Sequence, residues 1–255
     1  MTLSEPLSGQ SVLVTGGARR IGRAIALALA RAGADIAITY RTSQADAETT
    51  VADIAALGRQ ALAIPCDVRS ETSVREAISR CIAVYGRLDL VVNNAAVFGS
   101  APLESLTLDQ WNDTFETNTR GPFLVAREAL PHLCATQGRI VNIGSLGGLR
   151  AWAGHAHYCA SKAALHMLTL AMAKSFAPDV SVNCVAPGWI QSVDATPGIE
   201  ETQAVESQAA RLAARTPMGR NGDTDEVARA VLFFATGPHF ITGQILAVDG
   251  GLGLV

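Results

Sequence analysis

Short apolar runs alternate with stretches of helical periodicity along the chain. SVLV at 11–14 is followed by a helical pattern from about Ile21 to Ala32. DIAITY at 35–40 precedes one from about Gln44 to Leu57, and ALAIP at 61–65 precedes a helix beginning near Glu71. LDLVVN at 88–93 leads into two expected helices, roughly 107–116 and 119–135. RIVNIG at 139–144 leads into a long one, roughly 156–176. VSVNCVA at 180–186 is followed by a Gly/Pro-rich stretch and by helical patterns near 201–214 and 224–235, and QILAVD at 244–249 is the last apolar run.

Strands that read as continuous apolar runs are buried on both faces, and strands alternating with helices imply βαβ units and a parallel sheet. The pattern predicts an α/β fold: one doubly wound, Rossmann-type domain over 1–255 with a seven-stranded parallel sheet. No linker or repeat divides it. The longest irregular stretch is 187–200, PGWIQSVDATPGIE, within a candidate substrate loop of about 187–217. A stretch of that length in a compact domain suits a lid or binding loop.

Composition narrows the function classes. Hydrophobic residues make up 49%, enough for a sizeable core. Net charge is −3, with a pI of about 5.9 and no basic stripe, so nucleic acid is not an expected partner. No basic segment leads into an apolar run at the start, so a signal peptide is not expected. The most apolar stretch is broken by Arg31, Gly33 and Asp35, so no membrane span is expected. The five cysteines are scattered without a CxxC pair, which suits reduced thiols in a cytoplasmic protein.

TGGARRIG at 15–22 lies between the first strand and the first helix. A helix starting there aims free N–H groups and a positive dipole end at a ligand. Glycines at 16, 17 and 22 permit close backbone approach, and pyrophosphate is the natural guest. In a dinucleotide fold the second strand ends at the adenosine ribose, where a carboxylate would hold the 2′-hydroxyl of NAD. Here that end reads Tyr40, Arg41, Thr42, Ser43, without a carboxylate. A guanidinium and two hydroxyls suit a 2′-phosphate, and Arg19 reaches the same region from the first turn. NADP(H) is therefore the expected cofactor. The plainer reading of Arg41 is a surface residue capping a strand.

YCASK places Tyr158 and Lys162 four apart, on one helix face. A phenol titrates near 10, and a neighbouring ammonium lowers that value, so Lys162 is expected to tune Tyr158 for proton exchange with a carbinol oxygen. A chance pairing on an amphipathic helix has the same spacing. Lysine occurs only at 162 and 174 in a chain that otherwise uses arginine, which favours a dedicated role. Ser145 follows RIVNIG directly, where its hydroxyl can polarise a carbonyl oxygen. The hydrolase pattern G-x-S-x-G fails because Ile143 stands at its first glycine. Asn93, Asn94 and Asn118 stand at strand and helix ends, where amides commonly serve as scaffolding.

These features together resemble the short-chain dehydrogenase/reductase family over essentially the whole chain. The resemblance rests on TG-x-x-x-x-x-G at 15–22, Asp67-Val68, NNAA at 93–96, Asn118, Ser145, YCASK at 158–162, Pro187-Gly188 and VDGG at 248–251. It implies Tyr158 as acid–base, with Lys162 as its partner and a ribose ligand. It implies Ser145 as the carbonyl-orienting hydroxyl and Asn118 as holder of a water in the proton relay. Asp67 would contact adenine through its side chain, with Val68 beside it, and Asn94 would lie against the ribose. Ile190 and Ser192 would lie near the nicotinamide carboxamide. The family pattern adds Gly16, Arg19, Arg20, Ile21, Ala95, Ala96, Pro187 and Gly188 to the expected cofactor contacts. No metal is needed, because the nicotinamide supplies hydride. The resemblance also implies a homotetramer, with helices 119–135 and 156–176 and the last strand at interfaces.

Arg20 replaces the middle glycine of the turn, a departure similar to the pteridine-reductase-like subgroup. Phe98 in NNAAVFGS matches that subgroup's pterin-stacking aromatic residue. Ser145 stands where those reductases usually carry an aspartate, which leaves ketone or imine reduction open beside pterin reduction. A substrate pocket is expected from Phe98, Leu146 to Trp152, His155, Trp189 and residues of the 190–217 loop. Loop packing alone would also account for Trp152 and Trp189. His155 and His157 lack acidic or cysteine partners nearby and are expected to be polar residues rather than metal ligands. The expected activity is NADPH-dependent reduction of a small cyclic or aromatic ketone. Pterin, imine and 3-oxoacyl-thioester reduction, or an idle cofactor-sensing role, are the alternatives.

Overall fold

The computed structural model describes residues 5–191 and 203–255, the side chains of 203–208 excepted. Ser192, expected near the nicotinamide, lies outside the described residues, as does most of the irregular stretch 187–200.

Seven strands form one parallel sheet: β1 (Ser11–Val14), β2 (Asp35–Tyr40), β3 (Ala61–Pro65), β4 (Leu90–Asn93), β5 (Arg139–Ile143), β6 (Ser181–Pro187) and, after the short β7 (Ile190–Gln191) and β8 (Gly222–Asp223), β9 (Ile245–Val248). Their order is β3-β2-β1-β4-β5-β6-β9. Val12 of β1 pairs with Ile36 on one side and Leu90 on the other. The direction of winding therefore reverses between β1 and β4, the place where doubly wound sheets bind ligands.

The central strands are largely apolar because both faces are covered. Val12 and Val14 pack with Ile25, Leu29, Val231 and Phe234 of α1 (Arg20–Arg31) and α8 (Thr224–Thr236). Leu13, between them, faces the other way and packs with Ile78, Leu133 and Met172. These come from α3 (Glu71–Tyr85), α5 (Gly121–Thr136) and α6 (Ala156–Phe176). The remaining helices are α2 (Gln44–Ala56), α4 (Leu108–Phe115) and α7 (Gln203–Arg215).

Local chemistry sets several boundaries. Thr107 and Gln110 form a reciprocal capping box at α4, and Asp223 and Glu226 do the same at α8. β4 begins at Leu90 rather than Leu88. Just before it, the Asp89 carboxylate takes the Ser11 amide at 2.9 Å, a side chain standing in for the ladder. The expected break between helices 107–116 and 119–135 is absent. α4 and α5 are joined by a π-helical turn, Glu116–Arg120. Its inserted residue geometry carries Asn118 inward, a device common at functional sites. The pair β7 and β8 was not expected from sequence; two residues are too few for a periodicity to register.

Candidate active site

The turn after β1 is built for close backbone approach. Gly16 sits at φ +63, and a Cβ on Gly22 would lie 2.2 Å from the Gly16 carbonyl oxygen. Arg20 holds the left-handed conformation, φ +51, which explains why a glycine is the usual occupant there. The turn is tied to the end of β4. Thr15 Oγ1 accepts from the amides of Asn94 and Ala95 at 2.9 and 3.0 Å, and Asn94 Nδ2 donates to the Thr15 and Gly16 carbonyls, both at 2.9 Å. The Asn94 side chain is thus a strut under the turn.

This turn forms one wall of a cleft of about 400 Å³ over the ends of β1, β2 and β4. Gly16, Arg19, Arg20 and Ile21 line one side, with Asn94, Ala95 and Ala96 at the floor. Tyr40, Arg41, Thr42 and Ser43 line the far end with Asp67 and Val68, and both Arg19 and Arg41 are exposed there. Among the described residues Asp67 is the one carboxylate in the lining, and Arg69 grips it, with Nη2 at 2.6 Å. Arg69 continues to Asp113 at 2.5 Å. The Arg69 hydrogen bonds, with a smaller contribution from the charge of Arg41, hold the Asp67 carboxyl below its ordinary value. Pro187, Gly188 and Ile190 do not line this cleft. Pro187 ends β6, the Gly188 amide donates to Val248 O at 2.9 Å, and Ile190 packs on the α1–α8 core.

The second constellation forms where β5 meets α6. Ser145 is buried, and its Oγ accepts from the Gly147 amide at 3.0 Å. Lys162 is 3% exposed, and its Nζ donates to the Ile143 carbonyl at 2.8 Å while lying 5.9 Å from the centroid of the Tyr158 ring. Burial pushes its pKa down to about 8. The expected lowering of the Tyr158 phenol is not found. Burial lifts it above 10, the Ser145 hydroxyl offsets part of the rise, and the ammonium contributes no compensating pull. The physical reason is direction: the lysine is spent on a main-chain carbonyl below the ring.

Asn118 is fully buried, as a strut of a different kind. Its Oδ1 accepts from the Val97 amide at 2.9 Å, and its Nδ2 donates to Val97 O at 3.0 Å and Ser161 Oγ at 3.1 Å. It welds the 97–98 segment to the helix that carries Tyr158.

Tyr158 packs against two residues that line an aromatic-walled cavity of about 370 Å³. Phe98 meets it edge-on at 4.8 Å and stacks on His155 at 4.8 Å. Trp152 stacks on Tyr158 at 6.1 Å. Leu146 and Trp189 complete the residues expected in this wall. Phe98 also lines the first cleft, so the two cavities share it. His155 Nδ1 lies 2.8 Å from Gly99 O and fixes the loop bearing Phe98, while His157 is buried beneath. Among the described residues no group of three or more His, Cys, Asp or Glu side chains is placed to hold a metal. No helix among them is long and apolar enough to cross a membrane.

Sequence reasoning did not single out His166. Its Nε2 accepts from the Ser145 amide at 3.4 Å, and burial together with the charge of Lys162 pushes its pKa down to about 4, so it stays neutral. A Cβ on Gly144 would lie 2.3 Å from that nitrogen, so the glycine makes room for the ring. The signal was present: 166 follows 162 by one helical turn on the same face. Leu252 and Val255 also line the cavity without having been expected there.

The family model described as Enoyl-(Acyl carrier protein) reductase matches residues 16–253. The hydroxynaphthalene reductase of Aspergillus fumigatus is 37% identical over 239 residues, 91% of this chain and 87% of that protein. The 3-oxoacyl-[acyl-carrier-protein] reductase of a Synechocystis strain is 36% identical, over 96% of this chain and 98% of its own. Among solved structures, a blue fluorescent protein from a metagenomic library, in complex with NADPH, is 38% identical. It superposes with a TM-score of 0.86 over 97% of this chain and 99% of that one. The winding of the sheet, the glycine turn, the Ser145–Tyr158–Lys162 cluster and these matches agree: the chain belongs to the short-chain dehydrogenase/reductase family.

Proposed function

We propose that the protein is an NADPH-dependent reductase that converts the carbonyl of a small cyclic or aromatic ketone to an alcohol. The observation that carries this reading is the position of Tyr158. Its phenol keeps its proton through neutral pH, feels the Ser145 hydroxyl, and carries a ring that packs against Phe98, which lines both the aromatic cavity and the glycine-turn cleft.

The residues fit the cofactor. The cleft has glycines where a pyrophosphate needs close approach, and Arg19 and Arg41 with two hydroxyls where a 2′-phosphate would lie. When bound, NADPH supplies the hydride that reaches the carbonyl carbon. Ser145 Oγ donates to the carbonyl oxygen and orients it. Tyr158 Oη then gives its proton to that oxygen as charge develops there, and solvent restores it. Lys162 is anchored on the Ile143 carbonyl beneath the Tyr158 ring and would be the residue to hold the cofactor ribose. Asn118 holds Val97 and Ser161 so that Phe98 and Tyr158 keep their separation.

A second reading, reduction of a dihydropterin as in the pteridine-reductase-like subgroup, is favoured by Arg20 and Phe98 lining one cleft. A screen of NADPH oxidation across cyclic ketones, β-ketoesters, cyclic imines and dihydropterins tests both. Fast turnover of dihydrobiopterin over every ketone would replace the first reading by the second.

We further infer a homotetramer in the cytoplasm. Phe123 on α5, Met167 and Leu170 on α6, and Leu246 on the edge strand β9 are exposed apolar side chains on the elements expected at interfaces. The free cysteines suit a reducing compartment.

A further inference from the structure

The cavity beside Tyr158 is aromatic on one side and cationic on another. Arg150 and Arg215 both line it, and no Asp or Glu side chain among the described residues does. The two guanidinium groups are committed differently. Arg150 Nη1 donates to the carbonyl oxygens of Gly253 at 2.9 Å, Leu252 at 3.5 Å and Val255. These acceptors hold the side chain in place against the turn at 252–255. The turn they belong to is folded by Asp249, whose two carboxylate oxygens accept from the amides of Gly251 and Gly253 at 2.9 and 2.8 Å. That carboxylate is consumed locally and does not line the cavity.

Arg215 is the last residue of α7 and is exposed. Among the described residues it has no ion pair or hydrogen bond. A cation in the last turn of a helix complements the helix dipole. That accounts for a basic residue there but not for its place in the wall of a cavity lined mainly by Trp, Phe, Leu and Ala. A pocket built this way offers an aromatic slot for a flat ring and, at Arg215, a guanidinium for an oxyanion. A guanidinium meets a carboxylate through two parallel hydrogen bonds.

We propose that the substrate carries a carboxylate on a planar ring, and that Arg215 is the residue that selects it. This rests on the reductase reading above for the identity of the reacting group, but not for the presence of the anion site.

The test uses 4-acetylbenzoate and its neutral isostere 4-acetylbenzamide, each with the same ketone. Calorimetric titration into the protein saturated with NADP+, where reduction cannot proceed, measures binding alone. The acid should bind at least tenfold more tightly than the amide. Arg215→Gln should cut that preference at least fivefold, and Arg215→Lys should restore part of it. Equal binding of the two ligands, or a preference that survives in Arg215→Gln, overturns the proposal. NADPH oxidation with the same pair separates the two ideas. Preferential binding without turnover of either compound fails the ketone-reductase reading and leaves the anion site standing. Turnover of both without a binding preference does the reverse.

Discussion

The ammonium of Lys162 donates to the carbonyl of Ile143 at 2.8 Å and lies below the ring of Tyr158, 5.9 Å from its centroid. It is anchored to the end of β5 rather than to the phenol oxygen. Tyr158 accordingly keeps its proton to a pH above its ordinary value, which suits a group that must donate one.

This burial carries a cost that can be measured. The Lys162 pKa falls from 10.5 to about 8 on folding, so the penalty is complete below pH 8 and fades between 8 and 10.5 as the unfolded chain also loses its proton. A shift of this size corresponds to roughly 3 kcal/mol. Lys162→Met removes it and forfeits one hydrogen bond worth about 1 kcal/mol. The variant should therefore be about 2 kcal/mol more stable than the wild type at pH 7, and the gain should shrink by about pH 9.5. Urea midpoints at the two pH values check this, and a variant less stable at pH 7 refutes it.

Arg41→Ala removes the guanidinium at the end of β2, where no carboxylate takes its place. A charged hydrogen bond of about 1.5–3 kcal/mol predicts a 10- to 150-fold weaker NADPH complex with little change for NADH. Fluorescence titration with both cofactors decides it. Equal losses would mean that the arginine does not meet the 2′-phosphate.

Arg20 adopts φ +51. Glycine tolerates that conformation and alanine does not, so Arg20→Gly should be more stable than Arg20→Ala by about 1 kcal/mol. Both should weaken NADPH alike, because both remove the charge. Thermal unfolding and cofactor titration separate the backbone effect from the side-chain effect.

Met167 on α6 is 64% exposed, and Leu170 lies on the same helix. Introducing Met167→Glu and Leu170→Glu together should lower the mass found by light scattering from that of a tetramer. An unchanged mass would place the interface elsewhere.

The sheet was legible because its strands are buried on both faces and so read as unbroken apolar runs; SVLV and LVVN sit side by side as β1 and β4. The Ser145–Tyr158–Lys162 cluster was legible because its spacing is local to one strand end and one helix. The direction of Lys162 was not. Helical spacing sets a face, whereas the depth of Nζ depends on where Ile143 ends β5. The π-helical turn also escaped, because its reason lies in Asn118 bonding to Val97, 21 residues away. Arg215 closes α7, one residue past the helical pattern expected near 201–214.

The most direct measurement is pre-steady-state NADPH oxidation by Tyr158→Phe with a ketone that the wild type turns over. The substitution deletes one hydroxyl and leaves the ring contacts with Phe98 and Trp152. NADPH affinity should stay within about twofold, while the rate of oxidation falls by about 10²–10⁴, the range expected for loss of a general acid. Oxidation within about tenfold of wild type, at unchanged cofactor affinity, would contradict the assignment of the proton to Tyr158.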